Sequence, residues 1–148
     1  MPYEFLINNL PKTKKAIGTD KGLAKIGDGI INLSYSIAKS IYLTKKSNSN
    51  QIIRTGQKVS KKILANALKN ANMKEFAKNR ADAHDLANTV EALVAYVWLV
   101  NKISIEELIS LITTHLSGNI TRRFDEIENA TSAFTKVLIS IKPFLPTK

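Results

Sequence analysis

The sequence predicts an all-α protein, and three observations carry that prediction. Apolar residues recur at spacings of three and four through most of the 148-residue chain, the periodicity of helices that bury one face. No stretch alternates apolar and polar residues as a half-buried strand would. Boundary signals punctuate the periodic runs: Thr19 and Asp20 before the first long one, an S-x-x-E box at Ser104–Glu107, and Pro143 after the last. A chain of this length can bury roughly 70% of the surface its unfolded form exposes. No repeat or linker divides it, so residues 1–148 are expected to form one domain.

The elements follow in order. Tyr3 to Leu10 is a short amphipathic piece ended by Pro11, and Lys12, Lys14 and Lys15 fall in a polar connection. From Thr19 and Asp20 to about Lys45 runs the central helix. Leu23, Ile26, Ile30, Leu33, Ile37 and Ile41 line one face of it, and Ala24, Ile31, Tyr35, Ala38 and Tyr42 form a second strip. Only a wedge holding Lys21, Lys25, Asn32 and Lys39 is left for water. Asp28 lies at the edge of the second strip between Gly27 and Gly29, each of which costs a helix about 1 kcal/mol relative to alanine. Either Asp28 caps a helix that starts there, or its carboxylate sits where another backbone or a phosphate approaches closely. Lys45 to Gln51 is wholly polar and reads as a loop.

A basic helix is expected from Ile52 to about Asn72, with Ile53, Val59, Ile63, Leu64, Ala67 and Leu68 inward and Arg54, Lys58, Lys61, Lys62 and Lys69 outward. Met73 to Arg80 is a short helix or turn. The second strongly apolar helix spans Ala81 to Val100. Leu86, Val90, Leu93 and Val97 make its main buried face, while His84, Ala87, Asn88, Glu91, Ala95 and Trp98 share another. The box at Ser104 opens a helix through Leu116 that Gly118 stops, and the last helix runs from about Thr121 to Lys142.

Composition narrows the function classes. There is no cysteine, which excludes disulfides, thiolate zinc sites and a cysteine nucleophile. The N-terminus lacks the order of a signal peptide and no run approaches the length of a membrane span, so a cytoplasmic protein without membrane contact is expected. The formal net charge is +10 and unevenly spread. Residues 1–74 hold fourteen Lys and Arg against three acids, residues 75–148 eight against nine. The basic half suits a polyanion, nucleic acid being the commonest; a lysine-rich host composition would give the same bias.

Two helices thus each bring one acid, Asp28 and Glu91, to an otherwise apolar surface. An ionised carboxylate in such a place is paired, hydrogen-bonded or bound to a metal. If the helices pack together, the two acids can face one another across a hard divalent cation such as Mg²⁺, which takes oxygen ligands and leaves room for phosphate. The alternative is a pair of structural ion pairs with Lys or Arg. Competing sites are weak. His84 and His115 are isolated, no serine stands in a nucleophile elbow, and no glycine-rich loop matches a phosphate cradle. Trp98, Tyr35, Tyr42 and Tyr96 fit the core, and Asn32, Asn66 and Asn88 are amides able to bind a cation weakly or to donate to phosphate.

The stretch GLAKIGDGIINL resembles the signature of the ribonuclease III catalytic domain, and LANTVEALVAYVWL resembles that family's second catalytic helix. VSKKILANALK is similar to the segment between them, so the likeness covers roughly Thr19 to Val100. It implies a helical bundle like the ribonuclease III endonuclease domain and a metal-dependent endoribonuclease cutting double-stranded or structured RNA with Mg²⁺ or Mn²⁺. Asp28 and Glu91 match the acids that hold the catalytic metal, with Asn88 a further ligand where the family has aspartate. Lys21, Lys25, Arg54, Lys58, Lys61 and Lys62 are then the candidates for RNA binding. A homodimer is implied, because one site cuts one strand. Other positions depart from the family: Lys21 and Ala24 replace two glutamates, Asn66 falls at a third acid, and Lys25 stands for an aromatic that resembles a dimer-interface plug. The chain is similar to the minimal Mini-ribonuclease III branch or to archaeal stand-alone forms, which lack a double-stranded-RNA-binding domain, and none is expected here. The second reading is a ribonuclease III-like fold that binds structured RNA without cutting it. A third is a helical interaction protein with no nucleic-acid role.

Overall fold

Short polar side chains start every α-helix but the last. In the computed structural model, which describes residues 2–148, six α-helices follow one another: α1 Lys14–Gly18, α2 Lys21–Lys46, α3 Lys61–Asn70, α4 Ala83–Leu99, α5 Ile105–His115 and α6 Arg123–Ile141. Single 3-10 turns lie at Glu4–Ile7, Lys74–Phe76 and Lys142–Phe144, and there is no strand among the described residues. The Asp20 carboxylate accepts from the Leu23 N–H at 2.8 Å, and Ser60 caps α3 by accepting from Ile63. Asp82 with Asp85, and Ser104 with Glu107, form reciprocal capping boxes on α4 and α5. A cap of this kind contributes about 1 kcal/mol. Asn72 and Asn101, with φ of +59° and +61°, close α3 and α4: the N–H of Met73 reaches the Leu68 carbonyl, and that of Lys102 reaches Val97.

The fold is an all-α bundle built around α2 and α4. Their contact is the most extensive between any two elements, α3 packs on α4 and α6, and α5 packs on α2 and α6. Almost all of α4 from Leu86 to Leu99 is buried, so it forms the bundle's centre. The core is continuous from Ile17 through Tyr35, Leu64, Leu93, Ile112 and Phe134. The tyrosines expected inside are there: Tyr35, Tyr42 and Tyr96 are buried. Trp98 is partly buried, with its ring 6.0 Å from that of Tyr3.

Four expectations are corrected. The polar connection at Lys14 and Lys15 is helical, started by Thr13, whose side chain accepts from the Ala16 N–H. The Leu33–Ile37 side of α2 is not buried: Leu33 is 50% exposed and Ile37 37%. α2 instead turns inward the strip from Ala24 and Gly27 through Ile31, Ser34, Tyr35 and Ala38, where small residues admit α4. Lys39, placed by periodicity in the water-facing wedge, is only 8% exposed. Its ammonium donates to Glu126 of α6 at 2.8 Å, and the Tyr35 hydroxyl donates to the same carboxylate oxygen at 2.7 Å. Burial pushes the Glu126 carboxyl up, but the hydrogen bonds from Lys39, Gln57 and Tyr35 and the Lys39 charge outweigh it and hold the group below its ordinary range.

The expected helix from Ile52 does not begin until Lys61. The chain from Gln51 to Ser60 carries no regular secondary structure, and α2 side chains satisfy its backbone. The N–H groups of Ile53, Thr55, Gln57 and Val59 donate to Thr44 Oγ1, Ser40 Oγ, Ser36 Oγ and Asn32 Oδ1 at 2.9, 3.0, 2.9 and 2.8 Å. Every second residue of the segment therefore turns inward, and Arg54, Gly56 and Lys58 between them stay exposed.

Candidate functional site

Asp28 and Glu91 meet because of one glycine. A Cβ on Gly27 would overlap the Glu91 carbonyl group and stand 2.8 Å from the Glu91 Cα. The α2 and α4 backbones therefore touch at the residue beside one acid and at the other acid itself. Gly29 has open space where its Cβ would be, so only Gly27 offsets its helix cost through close approach. Since Asp20 caps α2, Asp28 is in the third turn and caps nothing.

The two carboxyl groups are half-buried and within hydrogen-bonding reach of each other. Burial, then the hydrogen bond and the charge of Asp28, push the Glu91 carboxyl up to about 8, although the Lys61 and Lys58 ammoniums pull the other way. The Glu91 carboxyl therefore keeps its proton at neutral pH. Asn32, one turn after Asp28, donates from Nδ2 to Asp28 Oδ1 at 3.1 Å while its Oδ1 takes the Val59 N–H. The same amide orients one acid and ties down the segment that carries Lys58.

These groups border a cavity of about 420 Å³. α2 contributes Lys21, Ala24, Lys25 and Asp28; the segment before α3 and its first turns contribute Lys58, Val59, Lys61 and Leu64; α4 contributes His84, Asn88 and Glu91. Of the sequence-derived candidates, Asp28, Glu91, Asn88, Lys21, Lys25, Lys58 and Lys61 come together here. Arg54 and Lys62 do not. Arg54 borders a shallow groove with Ser36 and Ile37, and Lys62 faces a groove between α3 and α6. Asn66, the position of a third family acid, also faces that second groove and is away from the acids.

Sequence reasoning passed over His84 as isolated. It is exposed at the rim of the cavity, with Nδ1 hydrogen-bonded to the Lys61 ammonium. The available signal was its position seven residues before Glu91, two turns along one α4 face.

The donor set fits one hard cation. Two carboxyl groups within hydrogen-bonding reach of each other, with the Asn88 amide one turn before Glu91, offer oxygen ligands of the kind Mg²⁺ and Mn²⁺ prefer. Among the described residues no cluster of three or more His, Cys, Asp or Glu could hold a metal, and the rest of the cavity wall combines four lysines and His84 with the apolar Ala24, Val59 and Leu64. No helix of the described residues is long and apolar enough to cross a membrane.

A family model described as Ribonuclease III matches residues 21–145, the span from the first residue of α2 to just past α6. No curated protein matches the chain.

Proposed function

The chain belongs to the ribonuclease III family, and from that premise we propose that it is a divalent-metal-dependent endoribonuclease acting on double-stranded or structured RNA, with residues 1–148 working as one domain. The observation that carries this reading is the juxtaposition of Asp28 and Glu91 at the α2–α4 crossing, inside a cavity that four lysines also line. Glu91, ionised, and Asp28, held by Asn32, would be the two carboxylates that hold the cation. Asn88 adds a neutral amide oxygen. A Mg²⁺ or Mn²⁺ ion bound there supplies water activation and a charge on the phosphate. Lys21 and Lys25 on α2 and Lys58 and Lys61 beyond Asn32 receive the phosphates of a duplex, whose A-form is recognised by shape, phosphates and 2′-hydroxyls.

Leu33 and Ile37, exposed on the outer side of α2, support a homodimer in which two such sites act on opposite strands. Sedimentation tests it: a wild-type dimer should become a monomer on Leu33→Glu.

Cleavage of a long RNA duplex with Mg²⁺ or Mn²⁺, abolished by chelator, by Asp28→Ala and by Glu91→Gln, is the expected result. Full cleavage by Glu91→Gln would refute the site. The number of lysines relative to acids favours a second reading, a fold that binds structured RNA without cutting it. Duplex binding that survives chelator, with no product under any metal, selects that reading.

A further inference from the structure

The cavity at the α2–α4 crossing holds two carboxyl side chains and several positive ones, and the positive ones are not scattered. Lys61 opens α3 immediately after its cap Ser60, and its ammonium contacts His84 Nδ1 across the cavity mouth. Lys58, three residues earlier, is exposed on the segment that Asn32 fastens to α2 through Val59. Both ammoniums are close enough to Glu91 to lower its carboxyl against burial. Neither forms an ion pair with a carboxylate.

We propose that Lys61, supported by Lys58 and His84, binds the non-bridging oxygens of the RNA phosphate under attack, so that the site works with one divalent cation and an ammonium–imidazole pair as its second positive centre. This rests on the endoribonuclease reading above and adds to it the identity of the group opposite the carboxylates.

The physical reasoning is one of charge and room. A phosphodiester in hydrolysis passes through a state with added charge on its equatorial oxygens, and positioned cations stabilise that state more than the ground state. A cation held by Asp28 and Glu91 would supply positive charge to the phosphate from the side of those acids. A second cation would need oxygen ligands on the other side, and that wall offers instead the Lys58 and Lys61 ammoniums, which repel it, and the His84 imidazole, whose Nδ1 is already taken by Lys61. The same wall suits phosphate. In the contact with Lys61 the imidazole Nδ1 accepts, which leaves Nε2–H free as a donor. In the step itself the water oxygen forms a bond to phosphorus, the bond from phosphorus to the leaving ribose oxygen breaks, and its electron pair stays on that oxygen. The proton lost by water goes to solvent, and solvent returns one to the ribose oxygen. Lys61 keeps its protons throughout and acts by charge.

Three readouts on the full chain test this. Mn²⁺ counted by electron paramagnetic resonance should saturate at one ion per chain, in wild type and in Lys61→Met alike, and should be lost in Asp28→Asn. Inorganic phosphate added to the Mn²⁺-loaded protein should have its ³¹P resonance broadened by the bound ion, and Lys61→Met should remove the broadening while keeping the ion. With saturating RNA and Mg²⁺, Lys61→Met should cut more slowly by about 100-fold, with duplex affinity changed less than about threefold. Lys61→Arg should recover part of the rate. Two Mn²⁺ per chain, or a Lys61→Met defect confined to duplex affinity, would overturn the proposal and leave the endoribonuclease reading standing. Phosphate broadening that depends on Lys61 in a protein that cuts no RNA would overturn both the endoribonuclease reading and the catalytic role given to Lys61, leaving only a phosphate-binding lysine.

Discussion

Replacing Gly27 by alanine separates the two acids without changing either. Ordinarily Gly→Ala inside a helix gains about 1 kcal/mol. Here the new methyl overlaps the Glu91 carbonyl, and restoring ordinary contact requires the α2–α4 crossing to open by roughly 1.5 Å. Both sides of the contact are backbone, so no rotamer change relieves it. Overpacking of this kind costs about 1–3 kcal/mol, and more where the neighbours are rigid. With the propensity gain included, a net loss of about 2 kcal/mol is expected, or roughly 8 °C in melting temperature at about 4 °C per kcal/mol for a chain of this size. Mg²⁺ accepts little departure from ligand distances of about 2.1 Å, so a crossing opened that far should weaken Mn²⁺ binding at least tenfold. Calorimetric melting and a Mn²⁺ titration check both. Gly29→Ala is the control: its methyl meets nothing within 4 Å, and the variant should be more stable with metal binding unchanged. A Gly27→Ala protein that melts like Gly29→Ala and binds Mn²⁺ like wild type would refute the close-approach account.

Protonation of Glu91 gives opposite pH trends with and without metal. Its carboxyl lies at about 8 in the native state against an ordinary value of 4.5, so between those values the native protein holds a proton the unfolded chain has lost. Metal-free stability should therefore fall as pH rises from about 4.5 to 8 and flatten above, a slope that urea titrations should find missing in Glu91→Gln. Cation affinity should instead rise about tenfold per pH unit up to about 8, as titration of Mn²⁺ into buffered protein would register. Asn88→Asp adds a charge one turn before Glu91 and should lower the Mg²⁺ concentration giving half-maximal cleavage severalfold; an unchanged value would remove Asn88 from the cation's surroundings. Lys39→Met leaves the Glu126 carboxylate buried without its ammonium, which should destabilise by about 3 kcal/mol in urea unfolding, with most of that recovered in Lys39→Met/Glu126→Leu.

What the sequence made legible follows from what is local. Asp28 and Glu91 stood out because each interrupts an apolar helix, and Gly27 marked a close approach because a glycine inside a helix asks for a reason. Caps were legible where a side chain serves its own helix, as at Asp20 and Ser104. Partners far apart in the chain were not. Lys39 and Glu126 are 87 residues apart, and nothing near Lys39 marks it as buried. His84 looked isolated because Lys61 belongs to a different helix. Periodicity showed that α2 has apolar sides without showing which are covered, so Leu33 and Ile37 were assigned to the core. The misread helix start has the most instructive cause. Ile53 and Val59 fit a helical template by chance, while the residues that decide their conformation, Asn32, Ser36, Ser40 and Thr44, precede the segment by nine to twenty-seven positions.

Those four residues make a ruler. Four helical residues advance about 6.0 Å and two residues of extended chain about 6.7 Å, so rungs on α2 and rungs on the segment stay nearly in step, drifting apart by roughly 0.7 Å at each. Over three intervals the drift approaches 2 Å, about as much as hydrogen bonds of ordinary length can absorb, which sets a natural limit near four rungs. The count of residues between Ile53 and Val59 then has a meaning that their identity does not. One residue more or fewer would reverse the parity of the segment, turning Lys58 toward α2 and carrying Lys61 off its mark. The charge facing Asp28 and Glu91 is thus held in place by arithmetic along the chain, which fixes the length of the segment whatever side chain stands at exposed Arg54.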